Sequence, residues 1–318
     1  MANVLMTMAE DPGATSSGSH FAIRYAVDEH DCLHFAESLK ATGHDVYFVN
    51  WMDLSGREFE RMFSYNRAAF VAPVPIEKLD LVFVYKMEGF LYDLPRFYRM
   101  LDCFSASRTI NDPATIRHNL DKTYLRELGG RGVRIIPSYA VGEAAERLRE
   151  GQPLVIKPLK GERGNRVFLA RQPSDLDSIG GMKDQFFAQD FIPGIGEGER
   201  SLVFLGHEFQ HAVIKHPRPG EFRCNESLGG TVAVHEPSAE ELDCAARVLR
   251  TYEALGYPVH FSRVDLLTSE NGPLLLEAEL VNPSIYANYS GKGRQFGESI
   301  AVYFDRFFLS TTKTKTMR

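Results

Sequence analysis

The sequence is poor in cysteine, and it has no long apolar run, no excess of basic charge and no internal repeats. Its four cysteines (Cys32, Cys103, Cys224, Cys244) lie far apart, without a CxxC pair or a Cys/His zinc spacing. That argues against a disulfide framework or a structural zinc site, and a reduced, cytoplasmic chain is expected. No apolar stretch approaches the roughly 18 residues of a membrane span. The short one at the N-terminus has no basic flank and runs at once into Glu10 and Asp11, so it reads as a first strand and not a signal peptide. Asp and Glu (42) outnumber Lys and Arg (36), giving a formal charge of −6. A general affinity for nucleic acid is thereby disfavoured, because it needs a basic surface that displaces counterions. What remains is ordinary globular composition: 318 residues, 44% hydrophobic and 25% charged. That is enough for one large domain or roughly two to three small ones.

Strand-like and helix-like segments alternate from the start, which is the pattern of an α/β architecture. Val4 to Met8 reads as a buried strand, followed by a polar loop from Asp11 to His20. A helix should then carry Phe21, Tyr25, Cys32, Phe35, Ala36 and Leu39 on one face, with Gly43 as its stop. Asp45 to Asn50 and Leu79 to Tyr85 are two further strands, and Thr109 to Asn111 a short fourth, after a helix near Leu94 to Phe104. The first 111 residues thus resemble an open parallel sheet. Asp112-Pro113 is a helix start, and the helix is expected to run through Asn119 and Lys122 to Leu128. Short strands with glycine-bearing turns follow: Leu154 to Lys157, Arg166 to Ala170, Phe186 to Gln189, Leu202 to Leu205 and Glu208 to Lys215. A helix from Ala239 to Leu255, strands over Val259 to Leu267 and Pro273 to Glu279, and a helix from Phe296 to Leu309 complete the chain, with 311–318 as a flexible tail.

The sharpest chemical signal is a group of carboxylates. Asp265 lies in one predicted strand and Glu277 and Glu279 in the next, joined by a turn at Glu270-Asn271-Gly272. Folding about that turn brings Asp265 to within about one residue of facing Glu277, and the strand period of two puts Glu277 and Glu279 on one face. Acids converging on a partly buried sheet repel unless a cation compensates, and hard oxygen donors without Cys or His suit Mg2+ or Mn2+. A solvated face of an edge hairpin is the alternative that spacing alone leaves open.

Three other segments stand out. Val155-Ile156-Lys157 ends a strand and leads into a turn holding Gly161 and Gly164. Such a turn can close over phosphates through backbone N–H groups while the lysine supplies a point charge. It is not a Walker A loop, because the lysine precedes the glycines. Gln189-Asp190-Phe191-Ile192 leaves a strand through an apolar linker that can offer backbone groups to a purine edge, and Glu199 and Arg200 follow. Arg223 and Asn225, ahead of Gly229-Gly230, fall on one side of an extended segment where they could steady a negatively charged oxygen. Each segment alone is equally readable as a plain hairpin, strand exit or surface loop.

Taken in order, these pieces resemble the ATP-grasp superfamily, in particular its glutathione synthetase-like and ribosomal-protein glutamate ligase-like branch. The resemblance implies an N-terminal parallel-sheet domain (1–111), a lid subdomain (112–190) and a C-terminal mixed or antiparallel subdomain (191–310), with ATP between the last two. It implies that Lys122 (on a helix) and Lys157 reach ATP phosphates, that Gly161 and Gly164 form the flap, and that Gln189, Asp190, Phe191 and Ile192 form the adenine hinge with Glu199 at the ribose. Arg223, Asn225 and Arg200 are then the catalytic candidates, and Asp265, Glu277 and Glu279 hold two magnesium ions. The family's usual Glu-x-Asn is here Glu277-Ala278-Glu279, and Asn282 is the competing ligand for the second ion. That Glu-x-Glu, followed by Pro283-Ser284, is similar to a sub-branch that includes the O-ureido-serine cyclo-ligase of D-cycloserine formation.

The implied function is ATP-dependent joining of an amino-acid-like carboxylate to an amine through an acyl phosphate, with release of ADP and phosphate. An intramolecular cyclo-ligase is the alternative within that chemistry, and a nucleotide-binding protein without ligation the alternative outside it. Lys86 and Glu88, at the end of the third strand, together with Ser284 and Arg294, are candidates for the substrate. The partners implied are small molecules, with neither nucleic acid nor membrane, and the resemblance is compatible with a homodimer.

Overall fold

The computed structural model describes residues 1–8, 30–85, 87, 89–104 and 108–316. The expected loop from Asp11 to His20, the helical positions Phe21 and Tyr25, and Lys86 and Glu88 lie outside the described residues.

The first sheet has the order β6-β5-β2-β1-β7-β8. Strands β1 (Asn3–Met8), β2 (Asp45–Asn50), β7 (Leu81–Phe83) and β8 (Thr109–Ile110) run parallel. The expectation of an open parallel sheet needs one correction. β5 (Met62–Ser64) and β6 (Ala69–Val71) add an antiparallel hairpin at the β2 edge, beyond the small ribbon β3 (Leu54–Ser55) and β4 (Glu58–Phe59). These strands are too short to carry a readable period. The hairpin is anchored by Asn66, whose side-chain oxygen accepts from Val46 N–H and whose amide donates to His44 O.

Alternation along the parallel strands sends side chains into two cores. Val4, Met6 and Phe83 join α1 (His30–Ala41) through Phe35, Ala36 and Leu39, and join the last helix through Phe296, Ile300 and Phe304. Leu5, Val82 and Val84 face Trp51, α2 (Leu94–Asp102) through Phe97, Met100 and Leu101, and Ile116. The last helix, which closes the chain against the first sheet, runs over Gly293–Thr316 and is therefore longer at both ends than expected. No glycine or proline interrupts it beyond Gly297, and residues 311–316 of the segment expected as a flexible tail continue as helix.

α3 (Pro113–Asn119) starts where expected, with Asp112 Oδ1 accepting from the Ala114 and Thr115 amides. It does not continue to Leu128. The chain breaks at Asn119 and resumes as α4 (Tyr124–Gly130), so Lys122 sits in a turn, its N–H donating to Leu159 O instead of to a helix carbonyl. At the break the buried Asn119 amide turns inward to Tyr252 and to the backbone of Ala278 and Leu280.

The second sheet, β11-β10-β12-β9, is antiparallel: β9 (Ser138–Ala140), β10 (Leu154–Pro158), β11 (Phe168–Ala170) and β12 (Phe186–Asp190). It packs on α5 (Val141–Arg149) through Val141, Ala144, Leu148, Leu154 and Ile156. The third sheet, β15-β14-β13-β16-β17, comprises β13 (Glu199–Leu205), β14 (Glu208–His216), β15 (Thr231–His235), β16 (Phe261–Ser269) and β17 (Gly272–Glu279). On its rear face lie α4 and α6 (Ala239–Ala254), through Tyr124, Leu128, Ala245, Val248 and Tyr252.

Asn111, at the end of the first sheet, joins it to the third. Its side-chain oxygen accepts from the His260 and Phe261 amides at 2.9 and 2.8 Å, and its amide donates to Phe261 O and Leu280 O at 2.5 and 2.7 Å. Asn111→Ala withdraws the partner of all of these buried groups. It is expected to lower the unfolding free energy by about 3 kcal/mol or more, measured by urea denaturation; a loss under about 1 kcal/mol would contradict this account of the junction.

Candidate active site

The second and third sheets enclose a cavity of about 240 Å³. Its acidic floor is made by the β16–β17 hairpin. Asp265 pairs directly with Glu277, and Arg263 with Glu279. A bulge between Asp265 and Leu266 shifts the register by one residue, which is what brings Asp265 and Glu277 opposite each other. Glu277 and Glu279, two apart on one strand, both line the cavity, as do Asp265 and Arg263.

The acids meet cations of the chain itself. Asp265 is almost fully buried (1% exposed) and receives Arg263 Nε and Nη2 at 2.8 Å each and Ser201 Oγ at 2.6 Å. Burial alone would raise its pKa, but Arg263 and Lys215 hold the carboxyl well below the usual range. Lys215 reaches Glu199 and lies 4.0 Å from Asp265; these acids, against the opposing effect of burial, raise its pKa above that of a free lysine. Glu279 goes the other way. Burial and the neighbouring Glu277 raise its pKa, while its Oε1 accepts from the Val281 and Asn282 amides at 3.1 and 3.0 Å.

Two lysines face this floor. Lys122 Nζ lies 3.0 Å from Glu277 Oε1 and donates to Gly161 O at 2.7 Å, so it bridges β17 and the turn after β10. Burial works to lower its pKa, but Glu277 outweighs it and the value is raised. Lys157 is lowered to about 8, chiefly by burial, with Glu277 opposing and Lys122 adding to the drop. It is a cation enclosed at an energetic cost, which an incoming anion would relieve.

The turn after β10 forms the cavity's cover. Gly164 has φ +68°, a backbone conformation that favours glycine, and a Cβ there would come within 2.7 Å of Asn225 Oδ1, whose side chain would have to shift. Arg223 Nη1 donates to Gly164 O and Val167 O at 3.3 Å each, and Glu221 holds the guanidinium from the other side at 2.8 Å. Hydrogen bonds from Arg223 in turn lower Glu221 to about 2. The apolar end of the cavity has Val155, Phe191, Ile192, Ile195 and Leu267 as walls, with Gln189 and Asp190 beside them. Gln189 is buried and its amide donates to Ser138, while its Oε1 has no hydrogen-bond partner among the described residues.

The structure therefore brings together Lys122, Lys157, Gly161, Gly164, Gln189, Asp190, Phe191, Ile192, Glu199, Arg223, Asn225, Asp265, Glu277, Glu279 and Ser284 around one cavity. Two expected members are corrected. Arg200 alternates with Glu199 and Ser201 on β13, so its side chain leaves from the other face, donating to Gly198 O and approaching Glu241 of α6 at 3.4 Å. Arg294 is exposed in the first turn of the last helix and is absent from the cavity lining. Among the described residues no group of three or more Asp, Glu, His or Cys side chains is placed to hold a metal ion, and the Asp265 oxygens accept from Arg263 and Ser201. Glu277 and Glu279 are the donors that fit a hard divalent ion: two carboxylates on one strand face whose mutual repulsion already raises Glu279. Sequence reasoning missed Lys215, Arg263 and Tyr286, which also line the cavity. Arg263 was discoverable, since it precedes Asp265 by two in the same strand and so shares its face.

A family model described as RimK-like ATP-grasp domain matches residues 132–295, just over half of the chain. A "Probable alpha-L-glutamate ligase" of Marinomonas sp. is 28% identical over 231 residues, covering 69% of this chain and 73% of the relative. A "Probable alpha-L-glutamate ligase 1" of Shewanella denitrificans is 27% identical over 256 residues, covering 76% and 82%. Among solved structures, D-cycloserine synthetase superposes with a TM-score of 0.71 at 18% identity, over 96% of this chain and 99% of that one, a likeness of fold. With its lysines, glycine-bearing cover and acidic hairpin on one cavity, the chain belongs to the RimK-like ATP-grasp family and is an ATP-dependent ligase that forms amide or peptide bonds.

Proposed function

We propose that the cavity holds ATP with its base in the apolar slot and its phosphates between the two lysines and β17, and that the bound nucleotide activates an amino-acid-like carboxylate for attack by an amine. The observation that carries this reading is Lys157, a half-buried lysine that lines the cavity with Glu277 under a glycine-bearing cover, its pKa lowered to about 8. Such a charge is stabilised by an incoming anion, and the charge-assisted hydrogen bonds of a lysine suit phosphate oxygens.

A carboxylate oxygen of the substrate attacks the γ-phosphorus, the bond to the β–γ bridging oxygen breaks, and ADP leaves. The amine nitrogen then attacks the acyl carbon, the bond to the phosphate oxygen breaks, and the amine's proton is lost as phosphate departs. Lys122 and Lys157 supply positive charge along the triphosphate. Arg223 and Asn225, beneath Gly164, are positioned for the transferring group, and the cover excludes water from a mixed anhydride that would otherwise hydrolyse. ATP-grasp enzymes typically use Mg2+; here Glu277 and Glu279 would hold it, and it would neutralise charge on the phosphate oxygens. Gln189 Oε1 is free to accept from an exocyclic amine of the base. Residues 1–111 would carry the substrate side, 112–190 the cover and 191–310 the metal and phosphate side. The names of the curated relatives favour glutamate as one substrate. The likeness to D-cycloserine synthetase, with the Glu277-Ala278-Glu279 pattern, keeps an intramolecular closure as the second reading.

The test is ADP formation with Mg2+, ATP and a panel of amino acids with and without a second amine. Lys157→Met and Glu277→Gln are each expected to lower kcat/KM for ATP by about 100-fold or more, whereas Arg294→Ala leaves it within about twofold. Full activity in both cavity variants would overturn the site. If one amino-acid derivative alone supports ADP release, the intramolecular reading replaces the intermolecular one.

A second expectation concerns pH. With Lys157 at about 8 in the empty cavity, set by burial, Glu277, Lys122, Glu199 and Asp265, phosphate binding favours the protonated form. Affinity for ATP is then fully present below pH 8 and declines above it, by up to about tenfold per pH unit. Titration of ATP binding from pH 7 to 9.5 should show that decline in the wild type and a flatter profile in Lys157→Met.

A further inference from the structure

Asn282 lines the nucleotide cavity, yet its side-chain oxygen already has a partner: it accepts from the Met87 amide at 3.1 Å. Met87 is fully buried in the loop beyond β7, at the end of the first sheet's parallel strands. The whole segment 280–282 is held from that side. Leu280 O accepts from Asn111 at 2.7 Å, and the Val281 side chain is buried in the same core as Val82, Val84 and Met87. From the cavity side, Glu279 Oε1 accepts from the Val281 and Asn282 amides and so caps the turn that presents Asn282.

We propose that Asn282 is a positioning residue and not a metal ligand: by holding the Met87 amide it ties the loop at the end of β7 to the turn capped by Glu279, so that the substrate side and the phosphate side of the cavity keep one geometry. The inference rests on the reading of Glu279 as part of the nucleotide site. Its physical content is a chain of direct hydrogen bonds, Met87 N–H to Asn282 and Asn282 N–H to Glu279, across residues distant in sequence. A side-chain amide whose oxygen is committed to a buried backbone N–H coordinates a cation only by leaving that donor unpaired, which is costly in a buried loop.

The experiment compares the full-length wild type with Asn282→Ala and Asn282→Asp by two readouts: hydrogen exchange at the Met87 amide, and Mn2+ binding in the presence of ADP followed by electron paramagnetic resonance. Asn282→Ala is expected to speed Met87 exchange about tenfold or more and to leave Mn2+ affinity within about twofold. Asn282→Asp, which keeps an acceptor in place, is expected to restore the protection. Unchanged Met87 exchange in Asn282→Ala, or a tenfold loss of Mn2+ affinity in it, overturns the proposal. Should the alanine variant not fold, Asn282→Ser, too short to reach Met87, answers the same two questions. Absence of ADP and Mn2+ binding in the wild type would count against the nucleotide site itself, and the exchange comparison would still decide the tether.

Discussion

The site depends on how an edge strand is finished. β17 closes one side of the third sheet, so every second N–H and C=O along its outer edge lacks a strand partner. These groups are not left to water. Leu275 N–H donates to Arg134 O and Leu275 O accepts from Ile136 N–H. The Tyr124 hydroxyl donates to Ala278 O and accepts from Ala278 N–H at 3.0 and 2.9 Å, and Asn119 takes Ala278 O and Leu280 N–H. Asn111 completes the row at Leu280 O. With its edge fixed and the small Ala278 packed behind, the strand has one way to direct Glu277 and Glu279, which is into the cavity. The same contacts fix the end of α3 on this strand at Asn119.

The electrostatics follow from the enclosure. Six acids and six cations line the cavity: Glu162, Asp190, Glu199, Asp265, Glu277 and Glu279 against Lys122, Lys157, Arg163, Lys215, Arg223 and Arg263. The balance is local as well as global, since Asp265 is neutralised by Arg263, Glu199 by Lys215 and Glu277 by Lys122. Among the lining groups, Lys157 on the cationic side and Glu279, Glu199 and Asp190 on the acidic side have pKa values moved toward the neutral form. Such groups mark where binding of an opposite charge is most favourable, because the cost of burying them has been met by the fold and not by the ligand. A polyanion at Lys157 and a divalent cation at Glu279 relieve each other's neighbour, which is the complementarity a metal-bound nucleotide provides.

Much of this was legible in the sequence, for identifiable reasons. The Asn271-Gly272 turn and the period of two fixed which acids share a face, and the Asp112-Pro113 start of α3 is where expected. The glycine-bearing turn after Lys157 could be recognised from its two glycines, one of which, Gly164, takes a positive φ. The rest was not local. That Arg263 pairs with Asp265 depends on two side chains projecting from the same face of β16, and Lys215 meets Glu199 across a strand pair formed by residues 199 and 215. Arg200 looked like part of the site because it follows Glu199, yet strand alternation sends consecutive residues to opposite faces. The hairpin of β5 and β6 has too few residues for any periodicity to register.

The three sheets are one device because the chain crosses between them twice at the site. It leaves the first sheet at Asn111, whose side chain binds the third sheet, and after β17 it returns through Val281 and Ile285 into the first sheet's two cores. The last helix then packs against α1, so the C-terminal segment closes over the N-terminal fold. A displacement of β17 relative to β7 would therefore have to break the Asn111 and Asn282 hydrogen bonds and unpack Val281 together. The cover turn is held in part by side chains that phosphate oxygens could claim, Lys122 on Gly161 O and Arg223 on Gly164 O. Floor and substrate side are thus joined by backbone and side-chain contacts at Asn111, Val281 and Asn282, and the cover meets the floor through Lys122, which pairs with Glu277.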